Sequence, residues 1–178
     1  DMDHIKGVSE LVGKFQIDTI ILSTLEKQPD SVVQLIESAN QEKIKIVYFK
    51  KGDRIQGKDF LVHCLYPYGN QKVANNNEGS ITIEVRYQDF DMLLCGDILK
   101  KQERLILDTL EQYDVVQIPH HGAKTSSSEE FVKKVDADYG IISAGRNNRF
   151  GHPNQVTVET YGKHGTVLYN TAETGQVR

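Results

Sequence analysis

The chain has 178 residues, 25 of them acidic and 21 basic, and its 38% hydrophobic and 26% charged content gives one globular domain a core of ordinary size and excludes a disordered tail. A net charge of −4 excludes a broad basic surface for nucleic acid, because sequence-independent affinity comes from clustered Lys and Arg, so any contact with a strand must be local. No apolar run approaches the ~20 residues of a membrane span, no basic stretch followed by an apolar run opens the chain, and Cys64 and Cys95 sit inside apolar runs as buried thiols rather than a bridge, so a soluble, reduced domain is expected.

The chain opens on Asp1, Met2, Asp3 and His4, ligand-type residues with no initiator Met, and reads as a piece of a longer protein whose terminus precedes any element. A short helix is expected over 8–15 and a buried strand over 18–22. Pro29 opens the next helix, with Val32, Val33, Leu35 and Ile36 as its apolar stripe. Strands are expected over 44–49 and 60–66, separated by the polar turn 50–53. The segment 67–79, rich in Asn, is the longest loop.

From Ser80 the pattern sharpens. Ile81, Ile83 and Val85 alternate with Thr82, Glu84 and Arg86, and a turn at Gln88 and Asp89 leads into a strand over 90–95. This predicts a β-hairpin with its apolar side buried. Leu105, Ile106, Leu107 and Leu110 mark a helix, and 115–118 a strand. A helix over 129–135, a strand over 139–143, a helix over 156–164 closed by Gly165, and a strand over 167–169 complete the chain. Short β-branched runs alternating with helices of 10–15 residues give an α/β layered fold, one domain spanning 1–178 without repeats or linkers.

The candidate site residues fall at strand ends and in loops, where open α/β sheets form their crevices. Asp97 follows Gly96 as a strand gives way to a helix. Its carboxylate is expected at the rim of the core, although capping the helix is the commoner use of such an Asp. Asp3 and His4 offer an oxygen and an imidazole side by side, a set that suits Zn or Mn. His120 and His121 stand between Pro119 and Gly122 at a strand end, in a setting equally open to ligand and structural roles. His152 closes the polar loop 147–153, which suits anion contact or a turn. Ser126, Ser127 and Ser128 precede Glu129 and read as a helix cap.

In order, Asp1-Met-Asp3-His4, Leu-Leu-Cys-Gly-Asp97, Pro-His120-His121-Gly-Ala-Lys-Thr-Ser-Ser and Gly-Arg-Asn-Asn-Arg-Phe-Gly-His152-Pro resemble the metallo-β-lactamase-like domain of ComEC-family competence proteins, over essentially the whole chain. The Asn-rich stretch 75–80 resembles that family too. The resemblance implies an αββα sandwich, here truncated in its N-terminal part, with its metal site at one edge of the two sheets. The family's first motif reads HxDxDH, so its leading His falls before Asp1 and the strands ahead of it lie outside the chain.

By that resemblance Asp1, Asp3, His4, Asp97 and His121 hold a divalent metal, Mn or Zn, and His120 orients a ligand by a hydrogen bond. Asp1 stands where the wider superfamily has a His, which favours a hard ion. Asp3, Asp97 and His152 are the implied catalytic residues, with Lys124, Ser126, Ser127, Asn148 and Arg149 on the phosphate. The implied activity is that of a nuclease degrading one DNA strand beside a channel in the bacterial cell membrane, on its extracytoplasmic side. The rival is a domain that guides DNA without turnover. An exposed sheet edge left by the missing strands is expected to pair two copies into a homodimer.

Overall fold

The two periodicities of the sequence build two β-sheets in a computed structural model that describes residues 2–25, 28–69 and 72–177, with side chains from His4 onward. In the smaller layer, α1 (Met2–Leu11) and α2 (Asp30–Gln41) alternate with β1 (Thr19–Ser23) and β2 (Lys45–Phe49), which pair in parallel. Val32, Leu35 and Ala39 bury the inner face of α2, and Ile20 and Ile44 meet it from the sheet side. Val33, expected in that stripe, lies a hundred degrees round the helix from Val32 and is exposed. Helix α1 begins six residues ahead of the expected 8–15 helix, so His4 sits in its first turn rather than in a free terminus.

The larger sheet runs β3 (Arg54–Gln56), β4 (Phe60–Tyr66), β5 (Thr82–Tyr87), β6 (Phe90–Leu94), β7 (Val115–Gln117), β8 (Tyr139–Ile142) and β9 (Val167–Asn170), side by side in chain order. The pairs from β3 to β6 are antiparallel and those from β6 to β9 parallel. Parallel neighbours need crossovers, and α3 (Lys100–Ile106), α4 (Glu129–Val135) and α5 (Gln155–Lys163) supply them. The short α6 (Thr171–Thr174) follows β9. One face of the sheet carries Leu93 and Val116 into a core with Ile106, Phe131, Val135 and Tyr161. Both Cys are free and buried, as expected, and burial pushes the Cys64 thiol up to about 11.

The hairpin forms where expected, but its sides are exchanged. Thr82 and Glu84 point into the helix-covered core, while Ile83 and Val85 are half-buried on the opposite face. Glu84 is tolerated there because its carboxylate is satisfied: the Tyr113 hydroxyl donates to it at 3.1 Å, and His63 Nδ1 lies 2.8 Å away. Across the opposite face, Val62, Val85, Met92, Val115, Tyr139 and Val167 stand in one register row, and Tyr139 and Val167 are exposed. Among the described residues, no strand pairs along the outer edge of β1 or β2.

Candidate metal centre

Two exits from parallel strands and the first turn of α1 converge at one end of the larger sheet. The first follows β6, where Cys95, Gly96 and Asp97 turn out of the strand. Gln117 holds this turn, its side-chain oxygen accepting from the backbone N–H groups of Cys95 and Gly96 at 2.9 and 2.8 Å. Gly96 has φ +59, and a Cβ there would lie 3.0 Å from Ser80 Cβ and 3.2 Å from the Ile81 oxygen, so only glycine fits without a shift. The Asp97 N–H donates to Ser80 Oγ at 3.1 Å. The carboxylate does not cap α3, which starts three residues later at Lys100 with Leu99 as its N-cap, the Leu99 N–H donating to the Gln102 side chain.

The second exit follows β7. His120 and His121 both adopt left-handed backbone, φ +51 and +55, and Gly122 continues it at +81. Each non-glycine residue in that region costs on the order of 1–2 kcal/mol, so the fold holds the tandem against its preference. The restraints are visible. His120 N–H donates to the Gly96 oxygen at 3.0 Å, which ties the second exit to the first. Ser126 Oγ lies 2.9 Å from the Pro119 oxygen and 3.0 Å from that of Ala123. Glu103, fully buried, accepts the N–H groups of Ser127 and Ser128 and the Ser128 hydroxyl. Burial raises the Glu103 carboxyl, with those three donors and Lys100 opposing.

His4 completes the convergence from the smaller layer. Its Nε2 lies 2.9 Å from Asp97 Oδ2, while His121 Nε2 lies 3.6 Å from Asp97 Oδ1. One ligand atom from each of the three residues falls within 4.8 Å of the others. Burial alone would raise the Asp97 carboxyl, but the hydrogen bond and charge of His4, with His121 and His120 beyond, outweigh it and hold Asp97 below the usual carboxylate range.

The donor set fits a divalent cation. His121 Nδ1 stands 2.7 Å from the Ser143 oxygen, and that bond requires the proton on Nδ1. Nε2 is then the ring atom left for a ligand, and it faces Asp97 Oδ1, a buried carboxylate oxygen with no hydrogen bond among the described residues. A separation of 3.6 Å between the two atoms suits a cation bound by both at about 2.0–2.2 Å.

The other expected site residues are distributed as follows. Asp1 and the Asp3 side chain lie outside the described residues. His120 meets Asn77 Nδ2 at 3.1 Å through Nε2 and Thr125 Oγ1 at 3.2 Å through Nδ1. His152 is half-buried and lies over His121, ring centroids 6.3 Å apart and planes 22° from parallel. Burial, then the like charge of His120 and His121, holds its imidazole below its ordinary value, with Asp97 opposing.

Lys124 and Arg149 are exposed. Ser126 and Ser127, expected on the phosphate, are instead buried, with the Ser126 hydroxyl occupied by loop carbonyls. Asn148 is turned inward in the same way: its amide donates to the oxygens of Gly145 and His152, and its oxygen accepts the His152 N–H. Ser126 and Asn148 thus brace their loops. Sequence reasoning missed Gln117, Glu103 and Ser143. Of these only Gln117, a polar residue closing an apolar strand, gives a signal in the sequence.

Comparison with known proteins places this geometry. No protein-family model matches the chain. "ComE operon protein 3" of Bacillus subtilis is 27% identical over 180 residues, covering 100% of this chain and 23% of that protein. "Recombination protein 2" of Haemophilus influenzae is 39% identical over 123 residues, covering 69% of this chain and 15% of that protein. The chain thus spans less than a quarter of the length of these relatives.

Among solved structures, one assigned as a metal-dependent hydrolase from Parabacteroides distasonis aligns with a TM-score of 0.50 at 10% identity, over 88% of this chain and 77% of its own. A variant of the CmlA β-hydroxylase aligns with a TM-score of 0.52 at 8% identity, over 87% of this chain and 43% of its own. Identities this low establish the fold alone, and a hydrolase and a hydroxylase sharing it shows that the fold does not choose the reaction. With its fold, its strand-end donors and its sequence relatives taken together, the chain is a metallo-β-lactamase-fold domain belonging to the ComEC family of competence proteins.

Proposed function

We propose that this domain is a metal-dependent phosphodiesterase, the nuclease part of a membrane DNA-uptake protein that degrades one strand of incoming DNA during natural transformation. The observation that supports it most is the meeting of His4, Asp97 and His121 in a mixed-donor cluster around a buried carboxylate. Asp1 and Asp3 complete that ligand set in this reading. When bound there, Mn or Zn lowers the pKa of a water and neutralises phosphodiester oxygens. The chain's own groups do the rest. His121 is fixed in one tautomer by Ser143, and Asp97 is kept ionised by the imidazoles around it. Lys124 and Arg149, exposed on two loops, attract the phosphate locally in a chain of net charge −4. His152, beside His121, carries the proton that reaches the leaving oxygen.

In the same reading the parent protein is a channel in the bacterial cell membrane, with this domain on the extracytoplasmic side. Among the described residues, no helix is long and apolar enough to cross a membrane. Two copies pair through the open edge of the β1–β2 sheet, which light scattering would register as a dimer. The decisive test of the activity is cleavage of single-stranded DNA with added Mn or Zn. Asp97→Ala should abolish cleavage with the fold retained, and His152→Ala should lower turnover roughly 100-fold. Undiminished cleavage by Asp97→Ala, with contaminating nucleases excluded, would overturn the mechanism and put the DNA-guiding domain ahead.

A further inference from the structure

Beside the metal centre, a cavity of about 460 Å³ opens to the surface between β8 and the loop that follows it, lined by His121, Ser143, Asn148, Phe150 and His152. Its outer wall is Phe150, 67% exposed, the most exposed of the large hydrophobic side chains among the described residues. An aromatic ring in water at the mouth of a cavity is well placed for a flat, apolar ligand surface.

Its surroundings extend the point. From His121 outward, three rings are close to parallel: His152 lies 22° from His121 with centroids 6.3 Å apart, and Phe150 lies 16° from His152 at 5.8 Å. The Arg149 guanidinium stands over the Phe150 ring at 5.0 Å. The loop beneath is braced by the three Asn148 hydrogen bonds, so the ring is presented on a defined surface. Arg against an exposed aromatic is the pairing on which proteins stack unpaired nucleobases, and the cation adds attraction for the adjoining phosphate.

We infer that Phe150, with Arg149, is a stacking platform for one nucleobase next to the phosphodiester held at the metal centre, and that it selects single-stranded over double-stranded nucleic acid. A base paired in a duplex has its faces covered by its neighbours and cannot lie on the ring without being unstacked. The inference rests on reading the site as one that takes a phosphodiester strand; it adds a residue and a rule of selection to it.

The chain has no Trp, so Phe150→Trp places the sole indole at this position. Titrating that variant, in the presence of Mn, with a phosphorothioate oligothymidylate should quench the indole emission, whereas an abasic strand of equal length should not. By anisotropy, the unsubstituted chain should bind the thymidylate strand on the order of 10-fold tighter than the abasic one. Phe150→Ala should erase that difference, and Phe150→Trp should keep it. Equal affinity of the unsubstituted chain for both strands, or an unquenched indole at saturation, would overturn the platform. The nuclease reading fails separately. Cleavage that depends on Asp97 without base discrimination removes the platform alone, and base-dependent binding without any cleavage removes the nuclease alone.

Discussion

Strands β6, β7 and β8 have several acidic residues around their amino ends and a single carboxylate, Asp97, at their carboxyl ends, and Asp91 and Asp97 are shifted in opposite directions. At their amino ends, Asp89, Asp91, Asp114, Asp136 and Asp138 surround a cavity of about 310 Å³. These carboxylates serve the backbone and neighbouring amides: Asp114 accepts the Asp91 N–H at 2.7 Å, and Asp136 accepts from Gln112 at 2.6 Å. Burial raises the Asp91 carboxyl, Arg86 opposes, and Asp114, Glu84 and Glu111 push it further up. At the carboxyl ends a single carboxylate, Asp97, is surrounded by imidazoles and held down. Burial and neighbouring carboxylates both favour the protonated form, whereas one buried carboxylate among aimed ring nitrogens is favoured in its charged form, the form a cation needs.

The comparison breaks if the two ends respond alike to substitution. The largest effect is expected for Asp97→Ala, which should weaken Mn or Zn binding, followed by calorimetry, by more than 100-fold, while Asp114→Ala at the acidic end leaves it unchanged. Next comes Gly122→Ala. Its Cβ would lie 2.8 Å from Pro153 Cβ at φ +81, so denaturant unfolding should show a loss of about 1–3 kcal/mol together with weaker metal binding. Asn148→Ala should cost about 1 kcal/mol by the same measurement, because it unpins the loop without touching a ligand.

The smallest effect is a pH slope at Glu103. Its folded carboxyl is raised above the ordinary 4.5, so the folded state binds its proton more tightly than the unfolded chain. This group's contribution is therefore fullest below that ordinary value and declines as pH rises through the raised one. Glu103→Gln should flatten the slope across that window in unfolding measurements. An unchanged slope would show that the three donors from Ser127 and Ser128 offset the burial completely.

What the sequence disclosed and what it hid follow from how each feature is encoded. The helix at Glu129–Val135 and the strand at Phe60–Tyr66 appear at their expected bounds, because local periodicity and a Ser cap specify them. The exchange of faces in β5 could not be read from alternation. Period two separates two sides of a strand, but which side meets the helices depends on Tyr113 and His63, far along the chain, satisfying Glu84. The convergence of His4, Asp97 and His121 was visible only through the resemblance in motif order; residue by residue, a cap was the commoner reading of Asp97. The loop-bracing roles of Ser126 and Asn148 were hidden for a related reason. Polar side chains in a loop read as surface until the carbonyls they satisfy are placed in three dimensions.

The central claim, that His4, Asp97 and His121 hold the cation, is tested most directly by anomalous diffraction from crystals grown with Zn or Mn. A single strong peak is expected within about 2.0–2.3 Å of Asp97 Oδ and of Nε2 of both His4 and His121. A peak among Asp91, Asp114 and Asp138 instead, with none at Asp97, would contradict it.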